Sequence, residues 1–110
     1  MEKYKVIIEE PAMQDFRDIL KYITEVLIEP QIAKRLIKRI RKEVAELNRM
    51  PERHPLYDSE PWRSLGVRRL NIGNFAAFYI VVKDNLTVSV LSIIYGGRDI
   101  DNVLEKKLDK

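Results

Sequence analysis

Three arginines and one tyrosine in the second half of this chain are placed to meet an anion. Arg68 and Arg69 stand side by side in Gly66-Val67-Arg68-Arg69-Leu70, Tyr95 closes an apolar run, and Arg98 follows Gly96-Gly97. The two glycines let backbone approach a ligand closely. A tyrosine at a strand end can stack on a base or donate a proton. Each residue also has a structural reading. Arg68 and Arg69 would then be solvated or salt-bridged sheet residues, Arg98 a partner of Asp99 or Asp101, and Tyr95 a cap on the core. The single histidine, His54, could act as a base near neutral pH, but between Arg53 and Pro55 it reads as a loop residue. There is no cysteine, no H-x-x-H pair and no acidic cluster, so no metal site is expected. No Gly-rich phosphate loop precedes a helix, which argues against nucleotide hydrolysis. No cofactor is expected.

The segment that positions these residues runs from Glu60 to Asp101 and reads as three strands. They span about Val67–Ile72, Phe75–Val82 and Leu86–Tyr95, joined by turns at Gly73-Asn74 and Lys83-Asp84-Asn85. Those turn residues tolerate the positive φ of hairpin connections. Phe75 to Val82 is apolar throughout, as in a strand buried on both faces. The last strand changes phase, from Leu86, Val88 and Val90 to Leu91 and Ile93, which predicts a bulge near Val90. Side chains alternate along a strand, so Arg68 shares a face with Leu70 and Ile72. If that face meets the helices, Arg68 is partly tucked in and Arg69 reaches the open side.

Upstream, Tyr4, Val6 and Ile8 alternate as a short strand. Glu9-Glu10-Pro11 opens a helix, since proline suits the first helical position and the acids suit the positive end of its dipole. Its apolar stripe is Ala12, Phe16, Ile19, Leu20, Ile23, Val26 and Leu27. Glu29-Pro30 starts a second helix, with the stripe Ala33, Leu36, Ile37, Ile40, Val44 and Leu47, and Met50-Pro51 ends it. The opposite face carries Lys34, Arg35, Lys38, Arg39, Arg41 and Lys42. Lys38, Arg41 and Lys42 are candidates to track an RNA backbone; equally, the face is solvated or docks a partner. Glu43 and Glu46 lie four residues after Arg39 and Lys42 and offset part of the charge. An irregular connection holding Pro55, Pro61 and Trp62 leads to the first long strand, with Trp62 covering a core edge. Asp99 to Lys107 is a candidate terminal helix. The order β-α-α-β-β-β predicts one α+β domain over residues 1–110, a twisted antiparallel sheet with a helical hairpin on one face.

The chain has 110 residues, 45% of them hydrophobic and 34% charged, with a formal net charge of +3. That balance is ordinary for a globular protein and argues against disorder, and the basic excess fits an anionic partner. No apolar run approaches the roughly 20 residues of a membrane span, and the N-terminus is too charged for a secretory signal. The expected compartment is the cytoplasm.

Together the Met50-Pro51 helix end, Glu60-Pro61-Trp62-Arg63, Gly66-Val67-Arg68-Arg69-Leu70, Gly73-Asn74-Phe75, Phe78-Tyr79 and Tyr95-Gly96-Gly97-Arg98-Asp99 resemble the RelE/ParE superfamily of bacterial toxins. The resemblance covers nearly the whole chain and implies the toxin half of a type II toxin–antitoxin (plasmid stabilisation) module, with a cognate antitoxin as partner. RelE-like members cut mRNA on the ribosome; ParE-like members share the fold and inhibit DNA gyrase. For the first activity, attack by a 2′-hydroxyl needs a base, an acid and positive charge on the phosphorane-like transition state. The resemblance then assigns catalysis to Arg69, Arg98 and Tyr95, and RNA binding to Arg68, Lys38, Arg41 and Lys42. The alternatives are a non-enzymatic gyrase inhibitor and a degenerate toxin that only binds its antitoxin. One departure stands at the sheet centre. RelE-like nucleases usually place an arginine after the aromatic residue that opens the central strand, and here Phe75 is followed by Ala76.

Overall fold

The computed structural model describes residues 3–26, 28–96 and 99–108. Leu27 of the expected first stripe, and Gly97 and Arg98 of the expected site, therefore lie outside the described residues. Strand β1 (Lys5–Ile8) leads into helix α1 (Glu10–Lys21), which continues as a π-helical turn over Tyr22–Val26. Helix α2 (Pro30–Ala45) follows, then a 3-10 turn at Glu46–Asn48. After the irregular connection come β2 (Arg68–Ile72), β3 (Phe75–Val82), β4 (Thr87–Tyr95) and helix α3 (Ile100–Leu108). The elements are those expected, and Pro11 and Pro30 do open the two long helices.

The sheet order is β1-β4-β3-β2. β2, β3 and β4 form the expected antiparallel meander, while β1 lies at the edge beside β4 and pairs with it in parallel, Lys5 opposite Thr87 and Ile8 opposite Val90. The sheet is thus mixed rather than wholly antiparallel. The chain leaves β1 through a helical hairpin that crosses one face, which returns it in the direction that a parallel pair requires. The phase shift in β4 is a bulge: Phe78 faces Ser92 and Tyr79 faces Val90, so Leu91 is the extra residue. Gly73 takes φ +59° at the β2–β3 turn. At the β3–β4 turn the left-handed position falls on Leu86 (φ +50°), after Lys83–Asn85, and not on the three turn residues expected to hold it.

Each face of the sheet has its own core. On one side Leu70, Ile72, Ala77, Tyr79, Val88, Val90 and Ile93 pack against Ala12, Ile40, Val44 and Leu47 of the helical layer. On the other, Val67, Ala76, Phe78 and Ile94 are covered by Trp62, Ile100 and Leu104. The face expected to be open is therefore closed by the connection and α3. A further difference lies in the first helix. A π turn holds an extra residue per turn and shifts the stripe out of phase. Ile23 still points inward, but Tyr22 and Val26 are 54% and 62% exposed, so Val26 is not part of the core.

Candidate functional site

The alternation along β2 sends its two arginines to opposite sides of the sheet. Arg68 sits opposite Tyr79, on the side of the helical layer, and is tucked in as expected. Its Nη1 donates to the carbonyls of His54 (2.7 Å) and Glu52 (3.2 Å). Its Nη2 lies 3.7 Å from the Glu52 carboxylate, which also pairs with Lys83 at 3.2 Å. The Tyr79 hydroxyl donates to the Pro51 carbonyl at 2.6 Å. Together these groups fasten the irregular connection to the sheet, and Arg68 is occupied by them.

Arg69 faces the other way, opposite Phe78, with its guanidinium carbon 5.7 Å from the centre of that ring. Its Nε donates to the Asn71 carboxamide oxygen at 2.8 Å. Its two terminal nitrogens have no hydrogen-bond partner among the described residues. They border a cleft of ≈ 210 Å³ lined by Arg69, Asn71, Gly73, Asn74, Phe75, Tyr95 and Gly96. Tyr95 is half exposed and packs edge-on against Phe75, ring centres 5.6 Å apart. Gly96 donates its N–H to the Asn74 carbonyl at 2.8 Å. A Cβ at residue 96 would stand 3.3 Å from that oxygen and 3.8 Å from Arg69 Nη2. The missing side chain thus leaves space between the Asn74 carbonyl and Arg69.

Of the residues expected to act together, the fold brings Arg69 and Tyr95 to one cleft. Lys38, Arg41 and Lys42 are exposed on α2, in the layer across the sheet from the Arg69 guanidinium. The guanidinium carbon of Arg41 lies 5.9 Å from the centre of the Phe16 ring of α1. Arg39 pairs with Glu43 at 2.8 Å, as their spacing predicts. It also reaches the β2–β3 turn: a Cβ at Gly73 would stand 3.2 Å from Arg39 Nη1. His54 is on the helical side, edge-on to Tyr79, and its buried Nε2 has no hydrogen-bond partner among the described residues. Burial, then Arg53, push its pKa below the ordinary imidazole value, with Glu43 opposing. It is a neutral packing residue, as its place between Arg53 and Pro55 suggests.

One cluster had no signal in the sequence. The Tyr57 hydroxyl donates to Asp101 Oδ1 and the Ser59 hydroxyl to Asp101 Oδ2 (2.7 Å). These bonds clamp the first turn of α3 to the connection. They hold the Asp101 carboxyl below the ordinary carboxylate range. Burial, with the bond to Asp101, pushes the Tyr57 phenol up to about 12. Asp99 heads the helix, accepting the Val103 N–H on its carbonyl and the Asn102 N–H on its carboxylate. Beneath α3, Ala76 is 1% exposed in the cluster with Ile94, Ile100 and Leu104. The cleft can therefore hold an anion through one guanidinium, one phenol and the two asparagine amides. Among the described residues, no carboxylate or imidazole lines it and no three His, Asp or Glu side chains group as a metal site.

Residues 6–100 match the family model of the ParE toxin of the type II toxin–antitoxin system parDE. The chain belongs to this family. Comparison with curated proteins returns no match. Among solved structures, this ParE-family chain is similar to the chromosomal ParDE toxin–antitoxin system of P. aeruginosa, at 24% identity and TM-score 0.68, over 84% of this chain and 96% of that one. The RelBE2 toxin–antitoxin complex of Mycobacterium tuberculosis gives 19% identity and TM-score 0.61, over 86% and 93%. A mutant of the E. coli toxin RelE in the free state gives 13% and 0.63, over 97% and 96%. The protein is thus the toxin of a type II system on a fold shared by ParE-like and RelE-like members. Among the described residues of this ParE-family chain, no helix is long and apolar enough to cross a membrane.

Proposed function

We propose that this toxin arrests growth by binding a protein target, DNA gyrase, without cutting RNA, and that a cognate antitoxin neutralises it. The observation that carries this reading is the state of Ala76. The position where RelE-like nucleases place an arginine is 1% exposed beneath α3, so no side chain at the sheet centre reaches a phosphate. Among the described residues, the cleft beside it is lined by the guanidinium of Arg69 and by no carboxylate or imidazole. General acid–base catalysis needs both partners within hydrogen-bond reach of the reacting atoms. A second reading draws support from the meeting of Arg69 and Tyr95 in one cleft. In it the protein is a metal-independent, ribosome-dependent endoribonuclease using Arg69, Tyr95 and Arg98, with Arg68, Lys38, Arg41 and Lys42 holding RNA.

One pair of assays separates the two. Purified toxin added to gyrase should block supercoiling, and primer extension on mRNA from induced cells should find the message intact. Discrete cuts within translated codons, with normal supercoiling, would reverse the assignment. Normal growth at verified soluble expression would leave only an inactive, antitoxin-binding chain.

A further inference from the structure

The two edges of the sheet are treated differently. The β2 edge is closed along Val67–Arg69 by the irregular connection: Tyr57 donates its N–H to the Val67 carbonyl (2.8 Å) and Arg69 donates to Pro55 (3.0 Å). The β1 edge has no such cover. Lys5 and Glu9 donate their N–H groups to the Leu86 and Val90 carbonyls (2.8 and 3.0 Å), so the odd residues of β1 turn their backbone towards β4 and Val6 and Ile8 turn theirs away. The outward N–H and C=O groups of Val6 and Ile8 have no hydrogen-bond partner among the described residues. This open stretch has two fixed ends. Tyr4, the next outward residue, is tied to the Asn48 carbonyl (2.8 Å), and Glu10 begins α1. Ile7 and Ile8 lie on opposite faces of the strand, and each is 37% exposed.

We propose that this edge is the interface of a homodimer. In it β1 pairs antiparallel with β1 of a second copy about a two-fold axis at Ile7, and the two four-stranded sheets join into one of eight strands. The backbone sets the register. Val6 opposite Ile8 of the other copy joins all four outward groups of each chain. Slid by two residues either way, the axis falls on Val6 or Ile8, and the second bonded pair then needs Tyr4, already bonded, or Glu10, already helical. The side chains agree with the same register. Lys5 falls opposite Glu9 of the other copy, twice over, as an oppositely charged cross-strand pair. Glu9 is still extended, at φ −65° and ψ 156°. It accepts the Ser89 hydroxyl on Oε2, which leaves Oε1 for the lysine. Ile7 meets its own copy on the axis and Ile8 meets Val6, so both exposed isoleucines gain apolar cover. A lysine on an edge strand ordinarily guards it against pairing; here the guard is answered, but only by a strand carrying an acid four residues on. The segment is thus its own complement in charge, hydrophobicity and hydrogen bonding, which selects a second copy as the occupant. The interface is isologous and closes at two copies. It stands whichever target the toxin has.

The test is sedimentation velocity of the purified toxin, without antitoxin, over roughly 1 µM to 1 mM, the range suited to a seam shorter than a standard interface. A reversible monomer–dimer equilibrium is expected. Ile8→Pro removes one outward donor per chain, hence two of the four hydrogen bonds across the seam, and spares the ladder to β4. It should weaken the dimer about tenfold or more. Lys5→Glu and Glu9→Lys should each weaken it too, whereas an equimolar mixture of the two restores both ion pairs and should dimerise again. If one of these variants does not fold, disulfide trapping decides. The chain has no cysteine, so an introduced one reports on the register alone. Ile7→Cys places two sulfurs across the axis, on Cα atoms about 4.5 Å apart, within reach of a disulfide, and should cross-link under mild oxidation. Lys5→Cys stands about 13 Å from its own copy and should not. A chain that stays monomeric over this range, a dimer indifferent to Ile8→Pro, or equal cross-linking of the two cysteines would each overturn the inference. So would Val6 and Ile8 amides that resist hydrogen exchange only after antitoxin is added, a result that would give the edge to a strand of the antitoxin.

Discussion

Replacing Tyr79 by phenylalanine removes one oxygen from the centre of the fold, and its cost should depend on pH in a way that identifies the group. Tyr79 is 0% exposed and donates to the carbonyl of Pro51 at 2.6 Å, while Pro51 is itself buried. Tyr79→Phe leaves that acceptor unpaired, at a cost of about 1–3 kcal/mol. The phenol's pKa is pushed from 10.0 to about 12, chiefly by burial. The folded-state value lies above the unfolded one, so the contribution is fully present below the unfolded pKa. It falls as pH rises through 10, where the unfolded chain begins to ionise while the folded chain keeps its proton. Two units correspond to about 2–3 kcal/mol, as large as the hydrogen bond itself. In urea titrations followed by Trp62 fluorescence, the native chain should lead Tyr79→Phe by about 1–3 kcal/mol at pH 8, and the gap should close towards pH 12. Tyr57 titrates in both chains and cancels in the difference. A gap below about 0.5 kcal/mol at pH 8, the range of an ordinary surface change, would refute the buried bond. A gap that stays constant to pH 12 would refute the assignment of the titration to Tyr79.

Three further outcomes are expected. Ala76→Arg, which restores the arginine of RelE-like nucleases, should cost about 3 kcal/mol or more, because it buries an unpaired charge in a packed cluster. It should not create RNA cleavage, and a stable, RNA-cutting variant in translation extracts would show that α3 yields the position freely. The Asp101 carboxyl has a folded pKa below its unfolded one, so its anchoring of α3 is present above the ordinary carboxylate range and lost as pH falls through the folded value; hydrogen exchange of the α3 amides should rise in acid, rise at neutral pH in Asp101→Asn, and show little further acid response in that variant. Gly73→Ala, at φ +59° and with its Cβ 3.2 Å from Arg39 Nη1, should lower stability by about 1–2 kcal/mol. Gly73→Asn should cost less, and the reverse order by thermal melting would deny the left-handed turn.

Much of this architecture is legible in the residue pattern. The two-residue period of β2 and β3, the phase change near Val90 and the prolines at Pro11 and Pro30 locate strands, bulge and helix starts because each follows from local geometry. The face of Arg68 follows from Leu70 and Ile72. What the pattern does not carry is pairing and cover. Four residues of β1 are too short to declare an orientation, so its parallel register on β4 is a tertiary result. The second core is equally silent: Trp62, Ile100 and Leu104 are far apart in sequence and meet only across the sheet. For the site, the outward face of Arg69 follows from the strand alternation, but its meeting with Tyr95, which alternation assigns to the other face, is a tertiary result. The Tyr57–Ser59–Asp101 clamp does not follow from the pattern either, since Asp101 lies more than forty positions from both hydroxyls and no period links them. The π turn also leaves no mark, because Val26 fits the α-helical stripe by its spacing and only the structure shows it on the surface.

The parallel seam between β1 and β4 has a bearing on how the toxin comes into being. Residues 5–8 pair with residues 87–90, so β1 gains its strand neighbour only when β4, some eighty positions later, is in place. Contacts this distant in sequence form slowly, after the entropy of closing a long loop has been met. Ser92 and Ile93 are likewise the partners of Asp15, which ties α1 to the same late strand. The meander of β2, β3 and β4 can assemble locally, but the helical layer has no complete floor until β4 has emerged. In a ParE-family chain of this topology the helical layer and β1 therefore complete their packing only once β4 is in place.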